Sequence, residues 1–359
     1  MSQDFRSLTR SAKTLFWQLA GGLFSENKSL PESGIDLTQI QSVLVIRIDR
    51  LGDVILSTPV YASIKRNLPE AKVTVLVNGT GKGILRDNHN IDRVIEWKAN
   101  KPWETLWQLR KHKFDLVFNL NKMFSGTFSL LTRFSRSKWR VGYDHPQNRW
   151  VHQLRVPPEH DNRHETENNL QLLRSAGFPD IVKRPEIFFN AEENEKISSL
   201  IRENKKDPEH ALVLIKPGTR VAQWGWNPNK FQTLTNQLMQ SVTKNVFIIT
   251  GPGEEELVSS MLAGLDPKPF CLPKLSVKEL ALLIQRSDVL LCNHTGIMHL
   301  ASAAQTPVVA IFKHGNVQRW GPCHTLHVVL EERSGDDLSP ETVLQALEKL
   351  LPDESILNS

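Results

Sequence analysis

Two separate runs of short apolar segments, alternating with helix-patterned ones, constrain this chain more than any other feature. The first opens at Ser42-Val43-Leu44-Val45-Ile46-Arg47 and continues through strands predicted at Val73 to Val77, Val94 to Trp97 and Asp115 to Asn119. Helical spacing lies between them at Tyr61 to Asn67 and Trp103 to His112. The second has strands predicted at Ala211 to Ile215, Asn245 to Thr250, Val289 to Cys292 and Val308 to Phe312, with helices predicted at Phe231 to Gln240, Glu254 to Leu262 and Lys278 to Gln285. Strands that are apolar throughout are buried on both faces, as in a parallel sheet covered by helices. Alternation of strand and helix makes that sheet doubly wound. The chain therefore reads as α/β, with two Rossmann-like domains and ligands expected in the cleft at the carboxyl ends of both sheets. A length of 359 residues suits two domains. The boundary is expected in the polar stretch from about Pro185 to Pro208, giving an N-terminal helical extension and linker over 1–38, a first domain over 39–188 and a second over 189–359.

Composition narrows the class further. Hydrophobic residues make up 40% and charged residues 23%, near the average for globular proteins, which excludes a disordered or collagen-like chain. Cys271, Cys292 and Cys323 are too few and too scattered for a disulfide framework or a zinc cage, and point to a reducing cytoplasm. No window reaches the ~18 apolar residues needed to span a bilayer, and the N-terminus lacks the apolar core and cleavage site of a signal peptide. Over residues 1–30, Phe5, Leu8, Ala12, Leu15, Phe16 and Leu19 fall at helical spacing with Arg6, Arg10 and Lys13 between them, until Gly21 and Gly22. Such a helix either docks on its own domain or lies peripherally in a membrane interface, and both readings stay open.

Chemistry concentrates after the strands. The first strand runs into Arg47-Ile48-Asp49-Arg50-Leu51-Gly52-Asp53-Val54, placing a carboxylate on a glycine-bearing strand-to-helix turn. Asp53 is the best catalytic candidate, as a general base toward an attacking hydroxyl; spacing alone favours the commoner role of capping the helix that follows. No G-x-G-x-x-G follows any predicted strand, which argues against a dinucleotide enzyme. In the second half, Lys216-Pro217-Gly218-Thr219-Arg220, Gly251-Pro252-Gly253-Glu254 and Asn293-His294-Thr295-Gly296-Ile297-Met298-His299 each follow a strand. Each can be an ordinary loop, or can aim backbone N–H groups at a diphosphate. Thr219, Thr295 and Arg220 add donors and charge, and a carboxylate of Glu254 or Glu255 could accept from a ribose.

The mildly basic balance, 44 Lys and Arg against 39 Asp and Glu, leaves a formal charge of +5. From Lys122 to Arg163 the chain carries Lys122, Arg133, Arg136, Lys138, Arg140, Arg149, Arg155 and Arg163 against Asp144, Glu159 and Asp161, an excess equal to that of the whole chain. Such a cluster is often only a solvated face, but it also suits an acceptor rich in phosphate or carboxylate. Nucleic acid is disfavoured, because no nucleic-acid-binding motif is present.

These residues together resemble the bacterial lipopolysaccharide heptosyltransferases, the ADP-heptose-using glycosyltransferase family nine. The likeness runs over roughly residues 42–350. It is carried by Asp49-Arg50-Leu51-Gly52-Asp53 with Thr58-Pro59, Asn119-Leu120-Asn121, Arg140-Val141-Gly142-Tyr143, and His164-Glu165 leading to Asn169-Leu170. It continues in Lys216-Pro217-Gly218, Gly251-Pro252-Gly253-Glu254, and Thr295-Gly296-Ile297-Met298-His299-Leu300-Ala301 with Pro307. The resemblance implies two facing Rossmann-like domains of the GT-B type, an acceptor site in the first and a nucleotide-sugar site in the second. It also implies inversion at the anomeric carbon, with neither a catalytic metal nor a cofactor. Asp53 would be the general base. Gly218, Thr219, Arg220, Glu254, Glu255, His294, Thr295, Gly296, His299 and Lys313 would hold ADP-heptose. Asn121, Lys122, Arg133, Arg136, Lys138 and Arg140 would face the anionic lipopolysaccharide-core glycolipid, in the cytoplasm at the inner membrane.

Three positions depart from the family pattern. Its Lys two residues before Trp-Pro is missing from Gln223-Trp224-Gly225-Trp226-Asn227-Pro228, its loop Asp is His294, and a Gly is replaced by Lys313. Lys313, with Arg220, is expected to restore positive charge near the diphosphate, and His294 to alter the sugar or nucleotide accepted. The alternatives are a weak or silent glycan- or lipid-binding homologue, or a transferase using a different nucleotide sugar.

Overall fold

The structure is a computed structural model that describes residues 30–352 apart from Ser33, residues 159–162 and Ser334. The amphipathic helix expected over residues 1–30 lies outside the described residues, save Leu30. The chain divides into two compact units between Lys183 and Arg184.

The first unit runs β1 (Ser42–Ile46), α1 (Leu51–Ile55), α2 (Thr58–Asn67), β2 (Lys72–Val77), α3 (Gly79–Leu85) and β3 (Arg93–Glu96). It continues with α4 (Pro102–Arg110), β4 (Phe114–Asn119), α5 (Gly126–Phe134), β5 (Ser137–Tyr143), β6 (Leu154–Val156) and α6 (Glu165–Ser175). All its strands pair in parallel, in the order β3-β2-β1-β4-β5-β6. Val43, Leu44, Val45 and Ile46 have no exposed surface, because helices cover both faces of the central strand. Burying each such side chain contributes about 1.5–3 kcal/mol. Leu44 and Ile46 pack with Leu76, Leu109, Phe114, Val117 and Leu131 in one core cluster.

The second unit runs α7 (Ala191–Asn204), β7 (Val213–Lys216), α8 (Pro228–Ser241), β8 (Val246–Ile248), α9 (Glu255–Met261), β9 (Phe270–Cys271) and α10 (Val277–Gln285). Then come β10 (Val289–Asn293), α11 (Gly296–Ala304), β11 (Val308–Phe312), α12 (Val317–Trp320), β12 (His327–Glu331) and α13 (Pro340–Glu348). Its parallel sheet has the order β12-β11-β10-β7-β8-β9. In each unit the first strand is central, the next two extend to one side and the last three to the other. The switch points fall between β1 and β4 and between β7 and β10, where an open parallel sheet leaves a crevice at its carboxyl edge.

The polar stretch expected to hold the boundary contains a helix. Residues 191–204 form a 14-residue helix opened by a capping box between Asn190 and Glu193. It belongs to the second unit: Ile197 is buried, Lys278 of α10 pairs with Glu193 at 3.2 Å, and α7 packs on α10. Its outward face is polar enough to read as a linker in one dimension.

Candidate active site

Asp53 sits in the first turn of α1, directly after β1, at the carboxyl edge of the first sheet. A side chain from the same strand end holds it. Arg47 is buried, and its guanidinium reaches Asp53 at 2.8 Å, Glu165 at 3.0 Å and Asp49 at 3.4 Å, while also donating to the Leu120 carbonyl at 2.5 Å. Burial opposes the charge on Arg47, but Asp53, Glu165 and Asp49 together outweigh it and make the group harder to deprotonate. Burial pushes the Asp53 carboxyl above the usual aspartate range, Arg47 opposes this, and Asp49 and Glu165 reinforce it. Asp53 keeps 18% of its side chain exposed and Asp49 33%, whereas Arg47 and Glu165 keep 2% each, so the two aspartates are open to a substrate, and Asp53 is the one whose carboxyl is raised. A burial-raised carboxylate is a stronger proton acceptor, and a fixed cation keeps it oriented.

The rest of the cluster is brought in from far along the chain. Glu165 opens α6, where a carboxylate suits the positive end of the helix dipole. Asn169 Nδ2 donates to the Leu56 carbonyl at 3.1 Å and pins α6 to the end of α1. Asn121, just beyond β4, donates from Nδ2 to Asp49 at 2.6 Å. Lys122 is buried beside it, and His145 Nε2 meets its carbonyl at 2.8 Å.

The other expected acceptor residues do not join this group. Arg133 is in the last turn of α5, Arg136 is in the α5–β5 connection with a φ of 58°, and Lys138 begins β5 and contacts Gln39 at 3.3 Å, ahead of β1. Helix-to-strand connections of a parallel sheet lie at its amino edge, so these three are a strand length from Asp53, roughly 20 Å at ~3.3 Å per residue. Arg140 is mid-strand and buried, donating to the carbonyls of Val151 at 2.6 Å and Ser137 at 3.1 Å. Burial, with Arg133 nearby, pushes it down to about 10. The basic segment is thus partly interior structure and is split between sheet edges.

In the second unit the three glycine-bearing loops leave β7, β8 and β10, neighbours in the sheet, at its carboxyl edge. Lys216, buried at the end of β7, donates to the Gly218 carbonyl at 3.1 Å and pairs closely with Glu254, whose carboxylate also accepts from Gly251 N at 2.8 Å. Burial lowers the Lys216 ammonium, and Glu254 opposes the shift. A Cβ at Gly218 would meet the Glu254 carboxylate, so a side chain there would push that carboxylate off Lys216 and Gly251 N. Glu254 therefore ties loops together. Glu255, the other candidate for a ribose, is exposed in the first turn of α9 and has no ion pair among the described residues.

Asn293 closes the switch point from the β10 side. Its Nδ2 donates to the Pro217 carbonyl at 2.6 Å and its Oδ1 accepts from Trp226 N at 2.9 Å. Thr295 is the N-cap of α11 but makes no capping bond, and its hydroxyl is buried without a hydrogen-bond partner. A buried unpaired hydroxyl beside the N–H groups of Gly296 and the first helical turn is a ready donor to an anion. Thr219 Oγ1 donates to the Val221 carbonyl at 2.6 Å, and His299 is buried within α11.

The three departures become concrete here. His294 stacks on Phe312 with centroids 4.2 Å apart, its Nδ1 meets the His314 carbonyl at 3.0 Å, and burial pushes its imidazole below the usual range. Gly315, at a φ of 102°, leaves room for that ring. Trp224 stacks on His314 at 4.4 Å, with Arg220 5.9 Å from its ring centre. Arg220 has no ion pair among the described residues. Lys313, expected to be free for a diphosphate, instead pairs with Glu332 at 2.8 Å, a carboxylate it shares with Lys230 at 3.1 Å. Burial would raise Glu332, but the two lysines overcome it and hold the carboxyl low.

Arg47, Asp49, Glu165 and Asn293 stand inside the motifs, but their spacing in the sequence assigns them no role. The signal for Arg47 was a charge ending an otherwise apolar strand; its partner Glu165 is 118 residues away.

Residues 103–347 match the profile of glycosyltransferase family 9 (heptosyltransferase), and the chain belongs to that family. It is a glycosyltransferase built from two parallel six-stranded sheets of the GT-B type. Among its relatives, lipopolysaccharide heptosyltransferase 3 of Escherichia coli is 24% identical over 338 residues, covering 84% of this chain and 96% of that protein. The crystal structure of a family 9 glycosyl transferase from Veillonella parvula superposes with a TM-score of 0.81 at 21% identity, covering 89% of this chain and 99% of that one. Escherichia coli ADP-heptose lps heptosyltransferase II gives a TM-score of 0.75 at 19% identity, covering 88% and 99%.

Proposed function

We propose that this glycosyltransferase moves a heptose, or a closely related sugar, from ADP-heptose to a hydroxyl of the lipopolysaccharide inner core, with inversion and with Asp53 as general base. The observation that carries the reading is the Asp53 carboxylate itself, partly open, raised by burial and fixed on buried Arg47 at the switch point. Family membership and the names of the relatives support the sugar and the acceptor class.

In the reaction Asp53 takes the proton of the acceptor hydroxyl as that oxygen bonds to the anomeric carbon. The bond from that carbon to the donor phosphate breaks, and its electron pair leaves on the diphosphate. The first turn of α11, the Thr295 hydroxyl and the Gly218 loop stabilise the charge that develops, with Arg220 the principal cation and Lys313 a second one shared with Glu332. Asn121 and Lys122 meet the anionic acceptor. His299 and Glu255 meet the donor, and His294, locked on Phe312, shapes the pocket for its sugar or base.

Release of ADP from ADP-heptose with a truncated lipopolysaccharide acceptor tests this. Asp53→Asn is expected to lower turnover by about 10²–10⁴-fold while ADP still binds. The acid limb of kcat/KM is expected above the ordinary aspartate value of about 4. Equal ADP release by wild type and Asp53→Asn sinks the assignment. Wild type that binds ADP but never turns over, with several acceptors and nucleotide sugars, favours instead a silent homologue, the reading that Lys313's engagement with Glu332 supports.

A further inference from the structure

Five large hydrophobic side chains stand exposed among the described residues: Trp103, Trp107, Met123, Leu130 and Leu326. Four of them belong to α4, α5 or the loop between β4 and α5, and α4 packs on α5. Trp103 is 68% and Trp107 61% exposed, one helical turn apart on the same stripe of α4. Among the described residues neither ring is packed into a core cluster. The inner face of α4 is already satisfied by Thr105 and by Leu109, a member of the first unit's core. Neither indole N–H donates to a protein group among the described residues.

Around these rings the charge is predominantly positive. From 97 to 113 the chain carries Lys98, Lys101, Arg110, Lys111 and Lys113, all exposed, against Glu104 alone, and Glu104 is neutralised by Lys101 at 2.8 Å. Arg110 and Lys111 continue the Trp103–Trp107 stripe by another turn, and Lys111 Nζ lies 3.2 Å from the centre of the Trp107 ring.

We propose that α4, with the exposed side chains that lead into α5, is a membrane-docking face that seats the enzyme on an anionic phospholipid surface. A dissolved polyanion would need the cations but leave two indoles wet. An apolar protein groove would take the indoles but bury the cations unpaired. The headgroup zone of an anionic bilayer accepts both. Indole rings sit at that level with the N–H toward water, and lysine stems lie along apolar surface while their ammonium groups stay among phosphates. The face is defined without Asp53 or the glycine-bearing loops, so it stands whether or not the donor assignment holds.

The test is sedimentation of the full chain with vesicles of phosphatidylethanolamine and phosphatidylglycerol, and with vesicles of phosphatidylcholine alone. Wild type is expected to partition onto the anionic vesicles at least tenfold more strongly. Trp103→Ser with Trp107→Ser should lower that partition about tenfold or more, and Trp103→Phe with Trp107→Phe should restore much of it. Arg110→Glu with Lys111→Glu should lower it at least about 25-fold, taking about fivefold for each attraction lost, and should abolish the preference for anionic lipid. All four positions are exposed, so melting temperature should not move. Binding unchanged by both double substitutions overturns the proposal. Equal wild-type binding to neutral and anionic vesicles also overturns it, as does lipid-free self-association that Trp103→Ser with Trp107→Ser abolishes.

Discussion

Replacing Arg47 with Met tests the cluster beneath Asp53 most directly. The substitution keeps the length of the aliphatic stem and removes one charge that faces three carboxylates and the Leu120 carbonyl. Glu165, as buried as Arg47, then has no counter-charge, and breaking a buried pair by removing one partner costs about 3–5 kcal/mol. That is a large share of the ~5–15 kcal/mol that stabilises a domain. At ~2–4 °C per kcal/mol for a unit of this size, the first unit's melting transition should fall by about 6–20 °C at pH 8. The loss should depend on pH with a definite sign. Burial already raises the folded Asp53 above its unfolded value, and removing Arg47, which opposes that, raises it further. The native state then holds more protons than the unfolded one, so stability declines as pH rises through that window and the deficit shrinks toward pH 5. Glu165→Gln in the same background should recover part of the loss, because it removes the stranded charge. Melts followed by circular dichroism from pH 5 to 8.5 decide the matter. An Arg47→Met chain that melts within about 2 °C of wild type at pH 8, or that gains nothing from Glu165→Gln, refutes the reasoning.

Thr295→Val removes a buried hydroxyl that has no partner. It should leave melting temperature unchanged or raised while weakening ADP about 10- to 150-fold by calorimetry, since the lost bond is one to a charged group, worth about 1.5–3 kcal/mol. An unaltered ADP affinity would remove Thr295 from the donor site. Lys313→Ala leaves Glu332 paired with Lys230, so folding should hold while ADP binds about fivefold more weakly. Unchanged affinity would assign the diphosphate to Arg220 alone.

The alternation of strands was legible because central parallel strands are apolar throughout, and β1, β2, β10 and β11 have almost no polar side chains to confuse the pattern. Strands at or near the sheet edges were harder. β5 begins Ser137-Lys138-Trp139-Arg140, and only the structure shows that Arg140 is satisfied by the backbone of Val151 and Ser137. β12 is only partly buried, as suits an edge. In the site, Asp53 could be singled out because position after the first strand is a local property. The cation beneath it could not, because its meaning depends on Glu165. Glu254 and Glu255 were interchangeable in sequence, and they separate only once Lys216 and Gly218 are seen to face one of them. The acceptor list was over-long for a related reason. Charge counted along a segment ignores that successive connections of a parallel sheet emerge at opposite edges.

The shared strand order of the two units also sets a schedule. In each, the strand made first becomes the centre, and everything later is laid down outward from it. During synthesis Arg47 leaves the ribosome 118 residues ahead of the glutamate that completes its shell. At ~5–20 residues per second, that is an interval of about 6–24 seconds. Through that wait Asp53 and Arg47 have each other but not α6, so the corner of the first unit that holds Asp53 is begun among the earliest pieces made and finished among the last.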